Sequence, residues 1–193
     1  MLINILGFII LASFYITYIV KMLFLKKQGI TGNLLGKGDK KPKALIIEEL
    51  LKYATGIGAV VQFINVMFSS YLCTLAVPVL IRYIGVLLSV TGFVFFLMSV
   101  LTMRNNWRAG FDSQQQTNLV TSGIYAVSRN PAFLGFDLLY IGCTLAFPNL
   151  LMVIVTLIAV ALFHYQILGE EEYLQSTFGE AYMSYRKKVK KYF

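Results

Sequence analysis

The sequence is poor in charge: 13% of its 193 residues are Asp, Glu, Lys or Arg, against about 25% in an ordinary soluble domain. It has one histidine, His164, and therefore no HExxH zinc motif. It also lacks a GxSxG elbow and a GxGxxG following a strand, so triad hydrolysis, metal-assisted hydrolysis and Rossmann-type dinucleotide binding have no residues to use. Only two cysteines occur, Cys73 and Cys143, both inside apolar runs and without CxxC spacing. They read as small buried hydrophobes, which excludes a disulfide framework and a zinc site; no metal is expected.

What is abundant is hydrophobicity, at 58%. That excess over the usual 45–50% or so is too large for a soluble core of this length and predicts an integral membrane protein. The net charge of +8 would suggest nucleic acid in a soluble chain. Here the basic residues flank apolar runs, which points to membrane topology and anionic headgroups, with no nucleic-acid partner.

The runs predict an all-α polytopic fold with five spans. Residues 2–20 are nearly unbroken hydrophobes, about long enough to cross the bilayer. No basic residue precedes them and Lys21 follows, the wrong order for a cleaved signal. Residues 21–52 form a glycine-rich loop, and from Pro42 the ALIIEELLK spacing predicts a short amphipathic helix in the interface. Gly36-Lys37-Gly38 lacks the strand and helix of a phosphate loop. Spans follow at 53–77 and 83–103, then a polar loop over 104–130. Asn130 and Pro131, as cap and first residue, open an apolar hairpin with arms 131–147 and 150–168. Residues 1–193 read as one membrane domain whose catalytic region is about 104–193.

Every one of the 17 basic residues except Arg82 falls in the 21–52 segment, in 104–130 or after span five. The positive-inside rule then predicts an N-terminus outside, a C-terminus in the cytoplasm and a site facing the cytoplasm. The 104–130 loop and the acidic run Glu170-Glu171-Glu172 share that face. Three carboxylates gain nothing from an anionic lipid surface, so they stand out as functional or as a solvated helix face. Arg129, at the head of the hairpin, suits either a headgroup or a carboxylate. Asp137 lies in a span, where an acid costs about 2.5–3.5 kcal/mol, and is expected to face the bundle or a polar cavity. His164 is read as a hydrogen-bonded bundle residue or a substrate contact.

Leu119-Val120-Thr121-Ser122-Gly123-Ile124-Tyr125, Arg129-Asn130-Pro131-Ala132-Phe133-Leu134-Gly135, Glu170-Glu171 with Leu174, and Phe178-Gly179-Glu180-Ala181-Tyr182 occur in that order. This series resembles the isoprenylcysteine carboxyl methyltransferase and phospholipid methyltransferase superfamily, whose pattern is LVxxGxY, RHPxYxG, EExxL and FGxxY. The resemblance covers about 119–190. Asn130 stands where the family has His and Phe133 where it has Tyr; Asn keeps a hydrogen bond but does not titrate near neutral pH.

The resemblance implies S-adenosylmethionine as methyl donor, S-adenosylhomocysteine as product, and a lipophilic acceptor from the bilayer, such as a prenylcysteine. It implies catalytic roles for Arg129 and Glu171. The cofactor is then expected at Leu119, Val120, Gly123, Tyr125, Asn130, Glu170 and Glu171, and the acceptor at Phe133, Asp137 and His164. The chemistry agrees: carboxylates pair with sulfonium and ammonium, and Arg129 or backbone amides near Gly123 hold the cofactor's carboxylate. Methylating a carboxylate needs no general base, because a terminal carboxylate is already ionised at neutral pH. Phospholipid amine N-methylation, sterol reduction and, from another class, a small transporter or non-enzymatic membrane protein are the rival readings. No inverted repeat with broken helices supports a transporter.

Overall fold

Among the described residues the apolar runs fold as five helices: α1 (Leu2–Lys27), α2 (Pro42–Met67), α3 (Val79–Met103), α4 (Pro131–Ala146) and α5 (Leu150–Lys188). Single 3-10 turns at Arg104–Asn106 and Gly123–Ala126 lie between α3 and α4. The computed structural model describes residues 2–38, 40–69, 71–72, 75–111 and 118–193. Cys73 lies outside them. Among the described residues, Leu2–Lys27, Val79–Asn106 and Leu150–Lys188 are long and apolar enough to cross a membrane, and α4 is a shorter apolar helix. The protein is an all-α integral membrane bundle.

Two expected boundaries differ. The interfacial helix and the first part of the 53–77 span are one continuous helix, α2, which ends at Met67 and not at 77; no breaker separates Lys52 from Tyr53 and Pro42 sits at its first turn. In its first turns Glu48 and Leu51 are buried inside the protein, while Ile46 and Leu50 are exposed on the opposite face. Likewise α5 continues well past its apolar part, to Lys188.

Helices α3 and α4 pack at backbone distance. Gly85, Ser89 and Gly92 on α3 face Gly135, Gly142 and Ala146 on α4, small residues one or two turns apart on each seam. A Cβ built on Gly135 would lie 2.7 Å from the Gly92 carbonyl oxygen, and one on Gly92 would lie 2.6 Å from the Gly135 oxygen. In lipid, where tails are as apolar as leucine, such close approach is what drives helices together. The hairpin turn is held by polar side chains: Asn149 caps α5 through Met152 N (2.9 Å), and its amide bonds Asn65, whose Nδ2 donates to Phe147 O at 2.8 Å.

Gly179 breaks α5 with φ 50° and ψ −121°. The last helical stretch thereby turns aside, and Tyr182 and Tyr185 become buried. A Cβ at Gly179 would meet nothing within 4 Å. Gly179→Ala is therefore expected to cost about 1–3 kcal/mol from backbone strain alone, readable as a lower thermal midpoint in detergent; an unchanged midpoint would mean that the turn is not fixed by this residue.

Candidate active site

The head of α4 is built around a buried ion pair. Arg129 donates through Nη2 and Nε to Glu171 Oε1, at 2.6 and 3.1 Å, with both side chains under a tenth exposed. Its Nη1 donates to the carbonyls of Val189 (2.6 Å) and Arg186 (3.3 Å). Lys191 Nζ lies 3.3 Å from Glu171 Oε2. The reversal at Gly179 is what brings these C-terminal groups back to residues 128–130. There Ser128 Oγ and Asn130 Nδ2 both donate to Lys191 O at 3.2 Å, and Tyr185 donates to Tyr125 O at 2.6 Å. Asn130 holds the N-cap position expected of it, but its side chain makes no cap bond; it reaches Glu171 and Lys191 instead.

Neighbouring residues on a helix point about 100° apart, so the three acids serve three partners. Glu171 holds Arg129. Exposed Glu172 pairs with Lys41 of the first loop. Glu170 accepts from Gln166 Nε2 at 3.1 Å and faces a cavity.

That cavity has a volume of about 430 Å³, within the range of small-molecule sites. Its polar end is bounded by Asn33, Asn106, Asn118, Gln166 and Glu170, together with Arg129 and Asn130. Phe111 and Tyr173, stacked at 4.9 Å, form one wall there. The other end descends between helices, lined by Tyr15 and Tyr18 of α1, Gly56 and Ala59 of α2, and Phe133, Phe136 and Phe163 of the hairpin. The cavity is thus amphipathic along its length, polar near residues 106–130 and aromatic toward the bundle.

Of the residues singled out in the sequence, Tyr125, Arg129, Asn130, Phe133 and Glu170 line this cavity. Glu171 stands behind Arg129. Leu119, Val120 and Gly123 are not in the wall; they lead into the turn that seats Tyr125, whose hydroxyl meets Ser99 Oγ at 2.7 Å. Burial raises the Tyr125 phenol above its ordinary range, so it stays protonated. Asp137 and His164 also lie away from the cavity. Asp137 is buried with Oδ1 lacking a partner among the described residues. His164 is exposed and meets the Tyr192 hydroxyl at 2.9 Å. Burial, with the Asp137 and Glu171 carboxylates adding to it, raises the Tyr192 phenol.

Sequence reading missed Gln166, Trp107, Asn106 and the wall given by Asn33–Leu35. Gln166 carried a signal, an amide in an apolar span four residues before Glu170. Asn33 and Leu34 carried none, because a bridge to Ala109 across the bundle brings them there (Leu34 N to Ala109 O, 2.8 Å).

The arrangement offers a carboxylate, amides and an aromatic wall at one end and an apolar channel at the other. Known proteins resemble the chain as follows. Over 72 residues the chain is 40% identical to the protein-S-isoprenylcysteine O-methyltransferase of Schizosaccharomyces pombe, covering 37% of this chain and 30% of that protein. It is 28% identical over 114 residues to a probable protein-S-isoprenylcysteine O-methyltransferase of Oryza sativa subsp. indica (56% of the chain, 59% of the relative). A Xenopus laevis protein-S-isoprenylcysteine O-methyltransferase is 31% identical over 109 residues, 55% of the chain and 38% of the relative. The chain thus spans less than two thirds of these relatives. The phospholipid methyltransferase family model matches residues 80–181, from the start of α3 through the acidic run and the Gly179 turn. Since that stretch is more than half of the chain and holds most of the cavity's polar end, the chain belongs to the phospholipid methyltransferase family.

Proposed function

We propose that the protein transfers a methyl group from S-adenosylmethionine to the carboxylate of an isoprenylcysteine-type amphiphile at the cytoplasmic membrane face. The observation that carries this is the single cavity joining a polar, acid-bearing end to an aromatic channel among α1, α2, α4 and α5. The residues present fit the cofactor. Glu170 is the carboxylate for a cationic group, Asn106, Asn118 and Asn130 offer polar contacts, and the Phe111–Tyr173 pair offers an aromatic face. When bound, the cofactor supplies an electrophilic methyl on sulfonium.

Arg129 acts mainly through structure: four hydrogen bonds tie it to Glu171 and to the Val189 and Arg186 carbonyls, so it fixes the edge of the site and faces the cavity as a neutralised cation. Phe133, Phe136 and Phe163 exclude water from the apolar end, where a desolvated carboxylate is a better nucleophile. No proton leaves, so no base is required, and rate comes from alignment. With Arg82 as the single basic residue away from the other loops, the positive-inside rule favours a cytoplasmic site and an N-terminus outside. The family description favours a phospholipid amine as the second acceptor to test.

Trp107, the single tryptophan, lines the cavity and reports occupancy. Titration of detergent-purified protein with S-adenosylmethionine is expected to change its emission. Glu170→Gln should weaken binding by about 1.5–3 kcal/mol, the worth of a hydrogen bond to a charged group. Transfer of labelled methyl to N-acetyl-S-farnesylcysteine, and none to phosphatidylethanolamine, supports the carboxylate acceptor; the reverse pattern supports the amine. A well-folded protein that binds no S-adenosylmethionine would sink both.

A further inference from the structure

Outside the family-matched region, the first loop and the start of α2 bring a second carboxylate to Gln166, behind the wall of the cavity's polar end. Glu48 has no exposure, and its ion-pair partner Lys40 is almost as covered. A buried ion pair is a weak source of stability, so this one invites another account. Glu48 Oε2 accepts from Lys40 Nζ and from Gly36 N (2.9 Å). Its Oε1 accepts from Gln166 Nε2 at 3.2 Å, and that same nitrogen donates to Glu170 Oε1 at 3.1 Å. One amide is therefore gripped by two carboxylates, with one lysine among them. Lys40 also donates to Leu34 O at 3.0 Å and sits 4.7 Å over the Phe111 ring.

We propose that Glu48 is a positioning residue for Glu170. By holding Gln166 Nε2, it fixes the amide that aims the Glu170 carboxylate. By keeping Lys40 to itself, it stops the nearest buried cation from neutralising Glu170. A cationic ligand group then meets Glu170 without Lys40 as its competitor, and its charge offsets the burial and the Glu48 carboxylate that both disfavour an anionic Glu170, as the cofactor reading above requires and on which this inference rests. In this scheme the first loop and α2, which lie outside the matched family region, set the charge of a site whose acid lies within it.

The test uses full-length protein in detergent, with Trp107 emission and calorimetry as readouts. Wild type, Glu48→Gln, Gln166→Met and the double variant Lys40→Met/Glu48→Gln are titrated with S-adenosylmethionine and with 5′-methylthioadenosine, which lacks both cationic centres. In Glu48→Gln, Lys40 loses its partner and turns to Glu170, so S-adenosylmethionine should bind about tenfold more weakly while 5′-methylthioadenosine stays within about twofold. Removing Lys40 as well should recover most of the S-adenosylmethionine affinity. Gln166→Met breaks the amide leg without stranding a charge, should show the same selective loss, and decides the matter if Glu48→Gln does not fold. Unchanged S-adenosylmethionine affinity in folded variants overturns the inference, and so does a parallel loss of both ligands, which marks a merely structural role. Wild-type protein that fails to bind S-adenosylmethionine overturns the cofactor reading first, and this inference with it.

Discussion

Glu171→Ala is expected to lower stability by about 3–5 kcal/mol, because it leaves the Arg129 guanidinium buried with its carboxylate gone. The carbonyls of Val189 and Arg186 would still accept from Arg129, but neutral acceptors do not balance a buried charge. Lys191 would lose its partner too. The C-terminal segment should then detach, exposing Tyr182 and Tyr185, and ligand binding should fall with it. Thermal unfolding in detergent, combined with proteolysis mapped to residues 180–193, measures both effects. Glu171→Gln keeps an acceptor for Arg129 and should lose less. Equal midpoints for wild type and Glu171→Ala would show that the pair contributes nothing.

Gly135→Leu is expected to have an effect as large, and for a reason that no surface adjustment relieves. Its Cβ would lie 2.7 Å from the Gly92 carbonyl and 2.8 Å from the Phe96 amide nitrogen, both backbone atoms. Helices α3 and α4 would have to move apart, opening the seam at Gly85, Ser89 and Gly142 as well. Overpacking of side chains alone costs about 1–3 kcal/mol, and backbone collisions along a whole seam exceed that. The expected result is little monodisperse protein on size exclusion after detergent extraction. Val94→Leu, at an exposed position on α3, is the control and should extract like wild type. Normal recovery of folded Gly135→Leu would mean that the two helices tolerate a wider spacing.

Much of the fold was legible because apolar runs, Pro42, Pro131 and the Asn149 cap are local signals. The boundary of α2 was not, since Glu48 and Lys52 look interfacial unless one knows that Glu48 is neutralised by Lys40 from another segment. The polar character of Glu170 was readable from sequence, and so was its nearness to the 104–130 loop. What sequence did not supply was direction. Glu170, Glu171 and Glu172 are indistinguishable as letters, and only rotation along α5 gives one to the cavity, one to Arg129 and one to Lys41. For the same reason Asp137 and His164 were natural candidates by depth and chemistry, yet the hairpin turns them away from the cavity wall.

The turn at Gly179 also has a consequence for biosynthesis. Residues 186–191, whose carbonyls and Lys191 ammonium complete the surroundings of Arg129 and Glu171, are made after α1 to α4 and after the apolar part of α5. Chains are made and folded from the N-terminal end. The apolar helices are therefore made while Arg129 and Glu171 still lack part of their cover. A chain cut before residue 186 would keep Arg129 and Glu171 but lose the carbonyls and the ammonium that complete their surroundings.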